Sequence, residues 1–63
     1  MKWKPKVGEQ YWVIAHLDCV EHFDWEPDNE FDVRHYKIGN CYRTKKEAMQ
    51  ALRRVKKALR GEE

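Results

Sequence analysis

The last third of the chain constrains the rest most. Thr44-Lys45-Lys46-Glu47 is a capping-box pattern, in which a Thr hydroxyl and a Glu carboxylate satisfy amides left open at a helix start. Behind it, Ala48, Ala51, Leu52, Val55 and Leu59 recur every three or four residues, the spacing of one helix face. Lys56, Lys57 and Arg60 suit the negative end of the helix dipole. Gly61 can close the helix as the residue after its cap. A helix over 44–60 is therefore predicted, with its apolar stripe turned inward. Residues 1–43 must supply the surface it packs on.

A chain of 63 residues is read as one domain, 1–63, and it buries only about 60% of the surface its unfolded form exposes. With 38% charged residues it borders on a disordered composition, but three Trp, three Tyr and two Phe give it the aromatics that disordered chains lack. Residues 1–9, with Pro5 and Gly8, read as an opening loop that ends in a turn. Residues 10–43 read as the β-rich part. Tyr11-Trp12-Val13-Ile14-Ala15 favours a strand, and its two apolar faces mark it as the central one. A turn near Leu17-Asp18 leads to Cys19–Trp25, which alternates as a strand with one wet face. Glu26-Pro27-Asp28-Asn29 is a loop, because Pro ends a ladder and Asp and Asn favour turns.

Glu30 to Asn40 carries two patterns. Phe31, His35 and Ile38 sit at helical spacing after Asn29, whereas Val33 to Ile38 could form a third strand running into a Gly39-Asn40 turn. Runs this short are not settled by periodicity, and the strand-like reading is preferred. The expected fold is α+β: a small antiparallel sheet of three strands, with material for a fourth, and one C-terminal helix packed on one face. Such a thin core would gain from a second source of buried area, so a homodimer is expected among the partners.

Charge is sorted into blocks. From Asp18 to Asp32 there are seven acids and no Lys or Arg, and from Arg34 to Arg60 ten bases stand against one acid, Glu47. The net +2 conceals this segregation, which bears on partners rather than on fold. Either the blocks neutralise each other inside the domain, or at least one is displayed. No apolar run approaches the roughly 18 residues of a membrane span. The basic N-terminus leads into no signal-type apolar region, so a cytoplasmic protein with no membrane partner is expected.

Two motifs resemble a known group. Trp3-Lys4-Pro5-Lys6-Val7-Gly8-Glu9-Gln10-Tyr11-Trp12 is similar to the start of many short phage and prophage proteins of Gram-positive bacteria. Gly39-Asn40-Cys41-Tyr42-Arg43-Thr44, followed by Glu47-Ala48 and preceded by Arg34, resembles their C-terminal signature. The resemblance implies a small accessory protein of a mobile element. Such proteins act by binding, and some inhibit or redirect a host enzyme.

The candidate sites follow from these blocks. Glu21, Asp24, Trp25, Glu26 and Asp28 form an acidic and aromatic surface suited to a basic, partly apolar protein partner, including a host defence or nucleic-acid enzyme, unless Phe23 and Trp25 face the core and the acids only keep an exposed strand from pairing edge to edge. The alternative is nucleic acid, bound by Lys46, Arg53, Lys57 and Arg60, with Gln50 between, on the helix face opposite the apolar stripe. Lysines and arginines so placed would contact phosphates with little sequence preference, and Trp3 among Lys2, Lys4 and Lys6 could add base stacking. The protein-partner reading is preferred. His16, Cys19, His22, His35 and Cys41 raise the question of zinc, but without a C-x-x-C pair no metal or other cofactor is expected. Two reduced cysteines are expected inside a cell. A Cys–His pair or the acids Asp24 and Glu26 could do chemistry, yet strand alternation accounts for them, and no phosphate-cradling Gly-rich loop is present. The chain is expected to be a non-enzymatic binding module.

Overall fold

The structure is a computed structural model and describes residues 3–61. Lys2, Glu62 and Glu63 of the charge layout lie outside the described residues. Four elements follow in order: β1 (Gln10–His16), β2 (Cys19–Asp24), α1 (Glu30–Lys37) and α2 (Lys45–Leu59). The class is α+β, as expected. The sheet is smaller and the helical part larger than the sequence suggested.

β1 and β2 form an antiparallel hairpin that turns at Leu17-Asp18, with Tyr11 opposite Phe23, Trp12 opposite His22 and a register irregularity between Ile14 and His16. The ladder runs beyond the strands, because the Gly8 amide donates to the Trp25 carbonyl at 2.7 Å and the Trp25 amide to Glu9 at 2.9 Å. On the other edge of β1 there is no third strand among the described residues, only a bridge. Trp12 and Tyr42 exchange both backbone bonds, each at 2.8 Å. Asn40 lengthens that edge with its side chain, whose Oδ1 accepts from the Ile14 amide at 2.7 Å while Nδ2 donates to the Ile14 carbonyl at 3.0 Å. β1 is thus the central strand.

The strand-like reading of residues 31–38 is corrected: this segment is α1. Asn29 caps it in extended conformation, its Oδ1 accepting from the amides of Phe31 at 2.8 Å and Asp32 at 3.3 Å. Glu30 and Asp32 in the first turn complement the positive helix end. At the other end Gly39 takes φ +84°. Its amide donates to Tyr36 and the Asn40 amide to His35, the paired bonds of a Schellman closure. Local capping decided an ambiguity that periodicity could not.

α2 has the predicted cap, with the Glu47 amide donating to Thr44 Oγ1 at 3.1 Å. The return bond falls one residue early, since Glu47 Oε2 accepts from the amide of Arg43. Ala48, Ala51 and Leu52 are buried, but Val55 and Leu59 are exposed. The stripe runs out because the helix end meets the hairpin turn instead of the strands: Lys56 pairs with Asp18, and Leu17 is itself exposed.

The two helices lie on different faces of the hairpin. Tyr11, Val13 and Trp25 form the buried cluster on one face, against Val33 and Tyr36 of α1 and against Trp3 and Cys41. α2 packs on both strands. Its Lys45 ammonium stands 5.9 Å from the centre of the Trp12 ring, and its buried residues are no part of the Tyr11 cluster. This places α2 over the face of Trp12, Ile14 and Val20. Among the described residues no helix is long and apolar enough to cross a membrane.

Candidate functional site

Both motifs of the phage-like resemblance prove to be structural. In the first, the Glu9 amide donates to the Lys6 carbonyl and the Lys6 amide to Glu9 Oε1, closing a turn that Gly8 completes at φ +79°. In the second, Gly39 ends α1, Asn40 docks on Ile14, Tyr42 bridges Trp12 and Thr44 caps α2. These residues hold the fold, so contact chemistry has to be sought elsewhere.

The acidic candidate surface loses its aromatic. Trp25 is only 3% exposed and belongs to the core, with its ring edge-on to Tyr11 at 5.8 Å and to Tyr36 at 6.1 Å. The extended ladder turns it inward, on the face that Tyr11 occupies. Glu21, Asp24, Glu26 and Asp28 are exposed. Strand alternation splits them, however: Glu21 shares the face of Phe23, and Asp24 points to the opposite one. Trp3 is also withdrawn, half-buried against the core cluster.

The basic candidate surface stays together. Lys46, Gln50, Arg53, Lys57 and Arg60 are all exposed along α2, on the side away from buried Ala48, Ala51 and Leu52. The acidic and basic blocks meet in the ion pair of Lys56 Nζ with Asp18 Oδ1 at 3.3 Å. The sheet stands between α2 and the acidic first turn of α1.

A third group escaped sequence reasoning. Asp32 is buried at 4% exposure. Its Oδ1 accepts a short hydrogen bond from the Tyr11 hydroxyl, and its Oδ2 accepts from the Glu26 amide at 2.9 Å. His35 Nδ1 lies 3.0 Å from the same hydroxyl. A phenol has one proton to give and a carboxylate has none, so His35 must donate from Nδ1 to the Tyr11 oxygen. Burial, then the bond to Asp32 and the charge it carries, raises the pKa of Tyr11 far above the ordinary phenol value. Tyr11 is thus a fixed donor in a satisfied network, and neither a base nor a nucleophile. No sequence signal links residues 21 and 24 positions apart.

A row of rings crosses the α2 face of the sheet. Directly opposed residues share a face, so Tyr42, Trp12 and His22 line up across three chain segments. The Trp12 and His22 rings are 4.9 Å apart, and Gln10 Nε2 donates to His22 Nδ1 at 2.9 Å. Trp12 and Tyr42 are half-buried and His22 is exposed. Strand alternation assigns Trp12 a face, but only the Tyr42 bridge completes the row.

Metal and thiol chemistry find little here. His16 and Cys19 are cross-strand partners, yet among the described residues no three His, Cys, Asp or Glu side chains gather as an ion would require. Neither Cys19 nor Cys41 is in a disulfide. Comparison of the chain with protein-family models, with curated proteins and with solved structures finds no match. The reading of the surface rests on its own chemistry.

Proposed function

We propose that this chain is a non-enzymatic binding module of the phage and prophage accessory kind, and that it contacts nucleic-acid phosphates through the outer face of α2. The observation that carries this reading is the unbroken exposure of Lys46, Arg53, Lys57 and Arg60 on that face, with the sheet between them and the acids of α1. An acidic segment on the same side would repel a phosphate backbone. Glu30 and Asp32 stand behind the sheet, and although Asp18 and Asp24 lie on the α2 side, the outer face of α2 itself carries only cations, which favours encounter with a polyanion.

The test is a salt titration of DNA and RNA binding. Four phosphate contacts give a log–log salt slope of about −3 to −4. Arg53→Glu with Lys57→Glu should abolish binding at near-physiological salt. Binding that ignores salt, or that survives the double reversal, sinks the reading.

A protein partner is the second reading. It is favoured by Phe31 and Ile38, each 69% exposed, and by a groove of about 500 Å³ lined by residues that include Asp28, Glu30, Val33, Arg34, Lys37 and Ile38. A partly apolar surface of a host enzyme carrying charges of both signs would fit there, and its inhibition would be the consequence. Changing Phe31 and Ile38 to Lys should then abolish capture of that partner while leaving nucleic-acid binding intact or strengthened.

A further inference from the structure

We infer that the outer edge of β2 takes up an extended, basic segment of a partner protein as an added strand. This surface lies apart from the cationic face of α2 and goes beyond the phosphate-binding reading. The pairing pattern opens the edge. Trp12 exchanges both backbone bonds with Tyr42, and Ile14 uses its amide and carbonyl on the Asn40 side chain. Opposed residues of an antiparallel ladder bond at alternate pairs only, so His22 opposite Trp12 and Val20 opposite Ile14 receive no backbone bond from β1. Their amides and carbonyls, with those of Asp24 two residues on, point out of the sheet on the far side of β2. Among the described residues the sheet has two strands, and no segment pairs with that edge. Glu21, His22, Phe23 and Asp24 are all exposed, so neither helix overhangs it. β2 also holds no Lys or Pro, the residues that commonly guard such an edge.

The chemistry of the edge defines its occupant. Strand alternation puts Glu21 and Phe23 on one face and Asp24 on the other, which divides these groups for any partner lying flat against the molecule. An added strand meets all of them, because its own side chains alternate in step with those of β2. Main-chain bonds to Val20, His22 and Asp24 then supply affinity, and the side chains opposite supply selectivity. Opposite charges across a strand pair attract and like charges repel. The match is a cation opposite Glu21, a second opposite Asp24, and an apolar side chain between them opposite Phe23, which is 40% exposed. Two copies of β2 paired on this edge would instead gather the carboxylates of both with no Lys or Arg between them. The acids that select a basic strand thus also turn away a second copy.

The experiment measures, by fluorescence anisotropy at low salt, binding of a short, blocked, labelled threonine peptide that carries two lysines separated by two valines, a pattern that fits β2 in either direction. The comparison peptides are the same sequence N-methylated at both valines, and one with glutamates in place of the lysines. The proteins are wild type, Glu21→Lys/Asp24→Lys and His22→Pro. Pro is tolerated on an edge strand where the amide faces outward, as that of His22 does, so circular dichroism should show His22→Pro folded. Wild type should bind the basic peptide, bind its N-methylated form about tenfold more weakly and leave the acidic one unbound. His22→Pro should lose about tenfold in affinity for the basic peptide, and the double reversal about tenfold or more. Amide exchange at His22 and Asp24 should slow when the peptide binds. Equal binding of the N-methylated or the acidic peptide by wild type overturns the proposal, and that comparison holds even where His22→Pro fails to fold. Absence of binding to the basic peptide overturns it too. So does a doubled mass in sedimentation equilibrium that His22→Pro returns to one copy, since the edge is then taken by a second copy of the chain.

Discussion

The two faces of the hairpin are held by different chemistry, although alternate residues of one strand, β1, supply both. On the α2 face the fixed groups are Ala48, Ala51 and Leu52, small and apolar, with Trp12 and Ile14 half-buried beneath. On the α1 face, Tyr11 is wholly buried and its hydroxyl sits in a network with Asp32 and His35. An apolar contact tolerates small shifts of its partner, whereas a buried hydrogen bond fixes register and leaves a large penalty when half of it is removed. α1 is only eight residues long, too short to be stable alone in water. The polar network therefore locates an element whose apolar packing is slight.

Removal of Asp32 is the severest way to break that contrast. Asp32→Ala strips the acceptor from a buried phenol and from the Glu26 amide. Each unsatisfied group carries a penalty of about 1–3 kcal/mol, so a loss near 4 kcal/mol is expected. Against the ~5 kcal/mol at the low end of domain stability, urea denaturation should find a protein that is barely folded at 25 °C. Leu52→Ala is the matched change on the other face. Its expected loss is about 3 kcal/mol, within the usual range for a buried leucine, with α1 unaffected. A larger loss for Leu52→Ala than for Asp32→Ala would show that the apolar face, and not the network, sets the stability.

Tyr11→Phe probes the same network more gently and adds a pH signature. Asp32 keeps the Glu26 amide but loses the phenol, for about 2 kcal/mol. The folded pKa of Tyr11 lies above its unfolded value of about 10. Its contribution to stability is therefore complete below pH 10 and declines as pH rises beyond it, by about 1.4 kcal/mol per pH unit. Urea midpoints between pH 8 and 11 should fall more steeply for wild type than for Tyr11→Phe, since the other tyrosines and the lysines are common to both. Parallel curves would contradict the protonated, buried donor role of Tyr11.

The same contrast explains what could be read from the sequence. α2 was legible because its cap, stripe and closure are all local: Thr44, Glu47, Ala48, Leu52 and Gly61 lie within 18 residues. β1 was legible for the same reason, its five-residue core being β-branched or aromatic at four positions. α1 was not, because its two patterns were equally good until Asn29 and Gly39 were weighed as cap and closure. The burial of Trp25 beside Tyr11 follows the alternation of Cys19–Trp25, which the Gly8 and Glu9 backbone bonds carry past the end of β2. The cationic stripe was visible from helical spacing alone, whereas the row of rings needed Tyr42 to be brought beside Trp12 from 30 residues away.

The smallest expected effect tests whether capping selects helix over strand in the ambiguous segment. Asn29→Ala removes the acceptor for the amides of Phe31 and Asp32, a change that lowers stability by about 1 kcal/mol in helix caps. Asn29→Asp keeps the acceptor and adds a negative charge at the positive helix end, so it should be neutral or stabilise by a few tenths of a kcal/mol. Because Asp32 is itself in the first turn, loosening the cap also loosens the network. Amide exchange across residues 31–38 should therefore speed up in Asn29→Ala more than across α2. Equal exchange in the two variants would mean that α1 is held by the Tyr11–Asp32 bond alone, with its cap adding nothing to the choice.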